Sequence, residues 1–192
     1  MAAQSPAANK AVVILLIGEA ARAQNFSLYG YPRRTNPELA GKGVTALPHA
    51  RACSTYTTAS VACLLSHLES GRGAWEPLPG YLQRGGVDVI WRTRNWGEPR
   101  MQVQDFERGR DLKQGCAGDG CEHDEVLLSG LEARIRASTR NKVFVVLHEM
   151  GSHGPAYSTR YPAAFERFTP VCRSVQLSQC TADELLNAYD NT

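Results

Sequence analysis

Nowhere in these 192 residues does an apolar run reach the roughly 20 residues that a membrane-crossing helix needs. A charge bias is also missing: 21 Lys and Arg stand against 19 Asp and Glu, a formal +2. The basic residues form no block and are not interleaved with aromatics, which excludes nucleic acid as the expected partner. No Cys-x2-Cys pair or Cys/His knuckle occurs, so the common structural zinc sites are excluded. A convincing export signal is lacking as well. After Lys10 the apolar stretch is only Ala11 to Ile17, and Glu19 and Arg22 stand where a cleavage site needs small neutral groups. AVVILLI therefore reads as a strand, with residues 1–10 as a linker or disordered start.

What is present is ordinary globular composition, 43% hydrophobic and 21% charged, enough for one domain over residues 11–192. Six cysteines fall into three close pairs, Cys53/Cys63, Cys116/Cys121 and Cys172/Cys180. Local disulfides fit these spacings better than zinc, and they imply an oxidising compartment. Six cysteines allow about fifteen pairings, among which the spacing alone does not choose.

Apolar patterning predicts an α/β domain with a mostly parallel sheet. Residues 11–17 and KVFVVLH (142–148) are near-continuous apolar runs, as strands covered on both faces should be. VDVIW (87–91) is a shorter strand after Gly85-Gly86, and Val44 to Leu47 is a weak fourth. Val61, Leu64, Leu65 and Leu68 share one face of a helix, as do Leu127, Leu128, Leu131 and Ile135. Asp124 and Glu125 favour the start of the second. Thr181 with Glu184 forms a capping box that opens a last helix.

In such sheets ligands gather at the carboxyl ends of the strands. Glu19 follows the first strand, Arg92, Arg94 and Asn95 the third run, and His148, Glu149 and His153 the last. That edge is the expected site. His49 and His67 read as surface or packing residues, His123 as part of an acidic helix start, and Arg33-Arg34 as a surface turn. His148 reads as a satisfied structural residue.

ACSTYTTASVAC (52–63) holds six hydroxyl side chains between two cysteines. Ten residues of helix would separate Cys53 and Cys63 by about 15 Å, and a disulfide needs Cα atoms within about 7 Å. A bridge between them forces a chain reversal, with Cys53 on a loop, Cys63 on an early helical turn and a threonine at the N-cap. An anion binds well at such an end. A threonine before a helix is by default only a cap, and its hydroxyl becomes a nucleophile only with a base or a metal.

GEAARAQNFSLYGYPRRTNPELA (18–40), ACSTYTTASVAC, LHEMGSHGPAY (147–157) and FTPVC…C…NAYDN (168–191) together resemble the lipid A phosphoethanolamine transferases, which include the mobile colistin-resistance enzymes. The resemblance implies an alkaline-phosphatase/sulfatase-like α/β/α sandwich at the periplasmic face of the bacterial inner membrane. It implies three local disulfides from the three cysteine pairs. It further implies zinc held by Glu19 and Thr57, with Thr57 as nucleophile, and His153, Asn95 and Arg100 at the substrate. Phosphatidylethanolamine would be the donor and lipid A the acceptor, in a monomer whose membrane segment lies upstream.

Several family features depart. Ala20 replaces a threonine in GEAAR, and Pro99 occupies the position of a lysine near the phosphate, leaving Arg94 or Arg100 to substitute. No Asp-His-Gly is present, although the family places its metal pair in that motif beyond NAYDN. The resemblance thus describes a catalytic domain incomplete at the C-terminus, and the chain alone is expected to bind zinc weakly and transfer nothing. Two rival readings remain: a sulfatase- or phosphatase-like hydrolase, disfavoured because no Cys/Ser-x-Pro-x-Arg occurs, and a non-catalytic fragment.

Overall fold

The computed structural model describes residues 10–68 and 75–192. Its strands and α-helices are β1 (Ala11–Ile17), α1 (Pro37–Ala40), α2 (Thr57–Leu64), α3 (Leu78–Arg84), β2 (Asp88–Thr93), β3 (Asp105–Arg108), α4 (Gly109–Leu112), α5 (Leu131–Ala137), β4 (Lys142–His148) and α6 (Ala182–Asp190). The expectation of a linker over 1–10 lies almost entirely outside the described residues. The chain forms two compact units, one from residues 1–17 and 52–149, the other from 18–51 and 150–192.

The first unit is a three-layer α/β/α sandwich. Its sheet runs β1-β4-β2-β3, and every neighbouring pair is parallel. Because residues two apart share a face, Val143, Val145 and Leu147 of β4 join Ile90 of β2 beneath Leu112, Val126, Leu127 and Leu131. On the opposite face Phe144, Val146, Val89 and Trp91 pack with Ile17, with Val61 of α2 and with Leu65 that caps it. Arg134 of α5 ties the amino ends of two strands together, with Nη1 at 2.9 Å from Asp88 and Nε at 2.6 Å from Asp105.

Local patterning and the folded chain differ at several points. Residues 44–47 form no strand and are exposed. The strand β3, short and charged in sequence (DFER), carried no apolar run to announce it. The helix expected through 124–138 breaks at Ser129-Gly130, leaving a 3-10 segment over Asp124–Leu128 and α5 after it. Arg92 lies inside β2 and is buried, donating to Glu107 and to the Leu127 and Ser129 carbonyls. Most consequential, β1 is an edge strand whose side chains are largely exposed, not a strand covered on both faces.

The second unit is built around α6. The expected capping box is present: the Glu184 amide donates to Thr181 Oγ1 at 3.3 Å, and the Thr181 amide donates to the Glu184 carboxylate at 2.8 Å. The NAYDN run then faces inward. Buried Asp190 accepts from Asn25 Nδ2 at 2.7 Å, Tyr31 Oη at 2.7 Å and Arg33 Nη1 at 3.1 Å. Arg33 also donates to Asn187, so this arginine is a structural partner and not part of a surface turn. Asn191 Oδ1 accepts from the Arg167 and Phe168 amides.

Candidate functional site

Cys53–Cys63 is bridged with its Cα atoms 6.3 Å apart, as are Cys116–Cys121 at 5.8 Å and Cys172–Cys180 at 5.6 Å. Each pair is local in sequence, as the family resemblance implies. The first bridge reverses the chain before α2, but Cys63 lies near the end of that helix and not on its early turn. Tyr56, in extended conformation, holds the N-cap position and makes no side-chain cap bond. Thr57 is the first helical residue instead of the cap. It sits among the backbone N–H groups that a helix leaves unpaired at its start.

Gly97 explains how this end of α2 is held. It has φ +93°, and a β-carbon there would lie 3.0 Å from the Thr58 nitrogen and 3.2 Å from Thr57 Cγ2. The loop leaving β2 therefore rests directly on the helix start. Asn95 begins that loop and is buried. Its amide nitrogen donates to Thr93 Oγ1, its Nδ2 to the Glu149 carbonyl and its Oδ1 accepts from the Trp96 amide. Asn95 thus links the carboxyl ends of β2 and β4. Arg100 lines a cavity of about 1130 Å³ with Asp88 at the start of β2, Arg134 of α5 and Arg140 just before β4.

Behind the loop, His148 is fully buried at the end of β4. Its Nδ1 lies 3.3 Å from Thr93 Oγ1 and 3.8 Å from Glu98 Oε1, while its Nε2 has no hydrogen-bond partner among the described residues. The satisfied structural role expected of His148 holds for one ring nitrogen only. Burial works to raise the Glu98 carboxyl, but His148, its own backbone amide and Thr93 more than offset this, holding it below the ordinary range. Glu149 follows the opposite course. Burial, then the nearby charges of Asp124 and Glu125, push its carboxyl up to about 7.

The second unit carries Glu19 and His153. The Ser152 amide donates to the Glu19 carbonyl at 3.0 Å, and Gly151 has φ +49°, where a β-carbon would meet Glu19 N and O at 2.9 Å. Tyr189 Oη donates to the Ala20 carbonyl and accepts from the Arg22 amide, both at 2.8 Å, and the Arg22 guanidinium stacks 3.9 Å from its ring centroid. The GEAAR segment is therefore pinned from GSHGP on one side and NAYDN on the other. His153 is half-buried, with Nδ1 at 2.8 Å from the Gly154 carbonyl and its own carbonyl accepting from Arg160. Glu149 belongs to the strand-end edge read from sequence, whereas Gly97, Glu98 and Gly151 were not among the candidates. Each acts through a tertiary contact, and only the glycine after a strand end hints at it.

Zinc is the cofactor implied by the resemblance. Among the described residues no group of three or more His, Cys, Asp or Glu converges. The resemblance implies only two donors from this chain, Glu19 and Thr57, which belong to different units, short of the three or more protein ligands of a catalytic zinc site. The residues present do not make up that site.

Residues 11–192 match the Sulfatase family. Phosphoethanolamine transferase EptA of Helicobacter pylori is 39% identical over 98% of this chain and 37% of its own length. Phosphatidylethanolamine transferase Mcr-1 of Escherichia coli is 34% identical over 94% of this chain and 36% of its own. The soluble domain of lipooligosaccharide phosphoethanolamine transferase A from Neisseria meningitidis superposes with a TM-score of 0.83 at 29% identity, over 98% of this chain and 59% of that one. The chain thus spans little more than a third of the length of these full-length relatives. No helix among the described residues is long and apolar enough to cross a membrane.

Proposed function

The chain belongs to the Sulfatase family, and we propose that it is part of the catalytic domain of a phosphoethanolamine transferase with Thr57 as the nucleophile. The observation that carries this reading is the construction around Thr57. A disulfide reverses the chain before α2, Thr57 opens the helix, and Gly97 closes on it from the end of β2.

In the proposed reaction Thr57 Oγ1 forms a bond to the phosphorus of phosphatidylethanolamine. The bond from phosphorus to the glycerol oxygen breaks, and diacylglycerol leaves carrying a proton on that oxygen. A lipid A phosphate oxygen then forms a bond to that phosphorus, the bond from phosphorus to Thr57 Oγ1 breaks, and the threonine oxygen takes up a proton from the acceptor phosphate or solvent. This chain supplies position and field: the unpaired N–H groups and positive end of α2 favour the charge that builds on the phosphoryl oxygens. Removal of the threonine proton needs a base or a metal, and since the donors present do not complete a zinc site, no step is assigned to zinc. Glu19, in the same unit as His153, is a carboxylate whose backbone is held by Gly151 and Ser152, placed to join a metal site that other residues complete. Asn95 sets the loop above Thr57. Arg100, which the resemblance puts at the substrate, lines a cavity with Asp88, Arg134 and Arg140. The related EptC domain of Campylobacter jejuni is a periplasmic domain, and the oxidised cysteine pairs of this chain suit the same setting.

The test is a chimera in which this chain replaces the matching segment of H. pylori EptA, with lipid A from the host analysed by mass spectrometry. Phosphoethanolamine addition that vanishes with Thr57→Ala supports the proposal. A folded, fully disulfide-bonded chimera that adds nothing favours the non-catalytic reading, which the two-donor metal set also favours for the chain by itself.

A further inference from the structure

Gly97 rests on the start of α2, yet a glycine has no side chain to hold it there. Trp96 before it is 53% exposed. The loop is anchored by the residues that flank this pair. Asn95 binds the Glu149 carbonyl on one side. Glu98 turns into the core on the other: its side chain is 10% exposed, and Oε1 lies 3.8 Å from Nδ1 of the fully buried His148. His148 shares a face of β4 with Phe144 and Val146, since residues two apart do. That is the face on which Val61 of α2 packs.

Thr93 decides which ring nitrogen of His148 carries the proton. Its Oγ1 accepts from the Asn95 amide at 3.0 Å and lies 3.1 Å from the Asn95 carbonyl and 3.3 Å from His148 Nδ1. A hydroxyl has one hydrogen to give. The Asn95 carbonyl can only accept, so it takes that hydrogen, and His148 donates from Nδ1. Nε2, buried without a hydrogen-bond partner among the described residues, is then a lone pair and not a stranded N–H.

From this we infer that Glu98 is a positioning residue for Thr57: the Nδ1–H of His148 holds its side chain, and Glu98 and Asn95 together fix Gly97 on the start of α2. Stability alone does not account for the pair, because apolar residues of the same volume usually stabilise a core as well as a buried charged pair does. What the pair adds is direction. The His148 N–H is aimed by Thr93, a residue of β2, so the loop takes its place from the sheet and passes it to the helix start through Gly97. The inference rests on the reading of Thr57 as the nucleophile and extends it to the side chains behind the loop.

The experiment places Glu98→Ala and Glu98→Gln in two proteins. In the H. pylori EptA chimera, turnover of a phosphatidylethanolamine analogue is followed against its concentration. Glu98→Ala should lower kcat about tenfold or more and leave KM within about twofold, because a misplaced nucleophile loses rate and not ground-state binding. In the 192-residue chain, amide exchange is followed at Ser60, which bonds the Tyr56 carbonyl at the start of α2, and at Leu65, which bonds Val61 at its end. Glu98→Ala should speed exchange at Ser60 at least about fivefold and leave Leu65 unchanged. Glu98→Gln keeps a carbonyl that accepts from Nδ1–H, so it should restore kcat and Ser60 exchange to within about threefold of the unsubstituted protein. Nitrogen-15 spectra of the chain should show a proton on His148 Nδ1. The inference is overturned by Glu98→Ala without effect on Ser60, by Glu98→Gln as damaging as Glu98→Ala, or by a His148 proton on Nε2 alone. If Glu98→Ala does not fold, Glu98→Gln and the His148 spectrum decide. A chimera that transfers nothing even without substitution sinks the nucleophile reading, and Ser60 exchange then decides by itself whether Glu98 positions the helix start.

Discussion

Gly97 lies against Thr57, so closely that a β-carbon on it would stand 3.2 Å from the threonine methyl and 3.0 Å from the next backbone nitrogen. Its φ of +93° is a region that side chains other than glycine rarely adopt. Gly97→Ala must shift the loop or the start of α2. It should cost about 1–3 kcal/mol and lower transfer in the EptA chimera more than stability alone explains. Denaturant melts and lipid A mass spectra on the same preparations check this; a variant that loses stability but keeps full transfer per folded molecule removes Gly97 from the positioning of Thr57.

Gly151 stands in the same relation to Glu19. With a β-carbon 2.9 Å from both the Glu19 nitrogen and oxygen and φ +49°, Gly151→Ala should displace the Glu19 backbone at a cost of about 1–3 kcal/mol. The hydrogen bond from Ser152 to Glu19 should open, seen as faster exchange of the Ser152 amide. Unchanged exchange there would mean the segment yields without moving Glu19.

Glu149 should make stability depend on pH in an unusual direction. Its folded carboxyl ionises at about 7, against an ordinary value of 4.5. Between these values the unfolded chain has released the proton and the folded chain keeps it. The stabilisation present at low pH is therefore lost as pH rises, and the loss is complete above about 7, amounting to at most about 3 kcal/mol. Glu149→Gln should abolish this fall. Urea unfolding of both proteins near pH 5 and pH 7.5 measures it; parallel pH dependences in the two would contradict the burial of the charge.

Asp190 is the centre of the second unit. Removing it leaves Arg33 without its carboxylate and strands Asn25 and Tyr31. Asp190→Ala should cost about 3–5 kcal/mol, and Asp190→Asn less. Burial first, then the Asp190 carboxylate, holds the Tyr31 phenol above its ordinary range. In Asp190→Asn the Tyr31 titration should move down, followed by ultraviolet absorbance. No movement would place Asp190 outside that network.

Short-range features were readable before folding. The capping box at Thr181 and Glu184 is set within one helical turn, and the three disulfides close loops of ten residues or fewer. The apolar runs at 11–17 and 142–148 marked strands because their residues carry the signal themselves. β3 escaped because its side chains are charged and answered by Arg134 and Arg92, partners 29 and 15 residues away. The 124–138 run kept a helical apolar period, yet Ser129-Gly130 broke it into two pieces that still bury Leu127 and Leu131 against one face.

The amino-acid order by itself determined that this is an α/β chain with paired cysteines, a hydroxyl-rich helix start and residues matching a transferase family, since periodicity and spacing are local properties. Only the tertiary structure decided that β1 is an edge, that Arg33 serves Asp190 across 157 residues, and that Gly97 rests on Thr57. Those facts depend on which distant surfaces meet. An aliphatic strand reads the same whether a neighbour covers it or not.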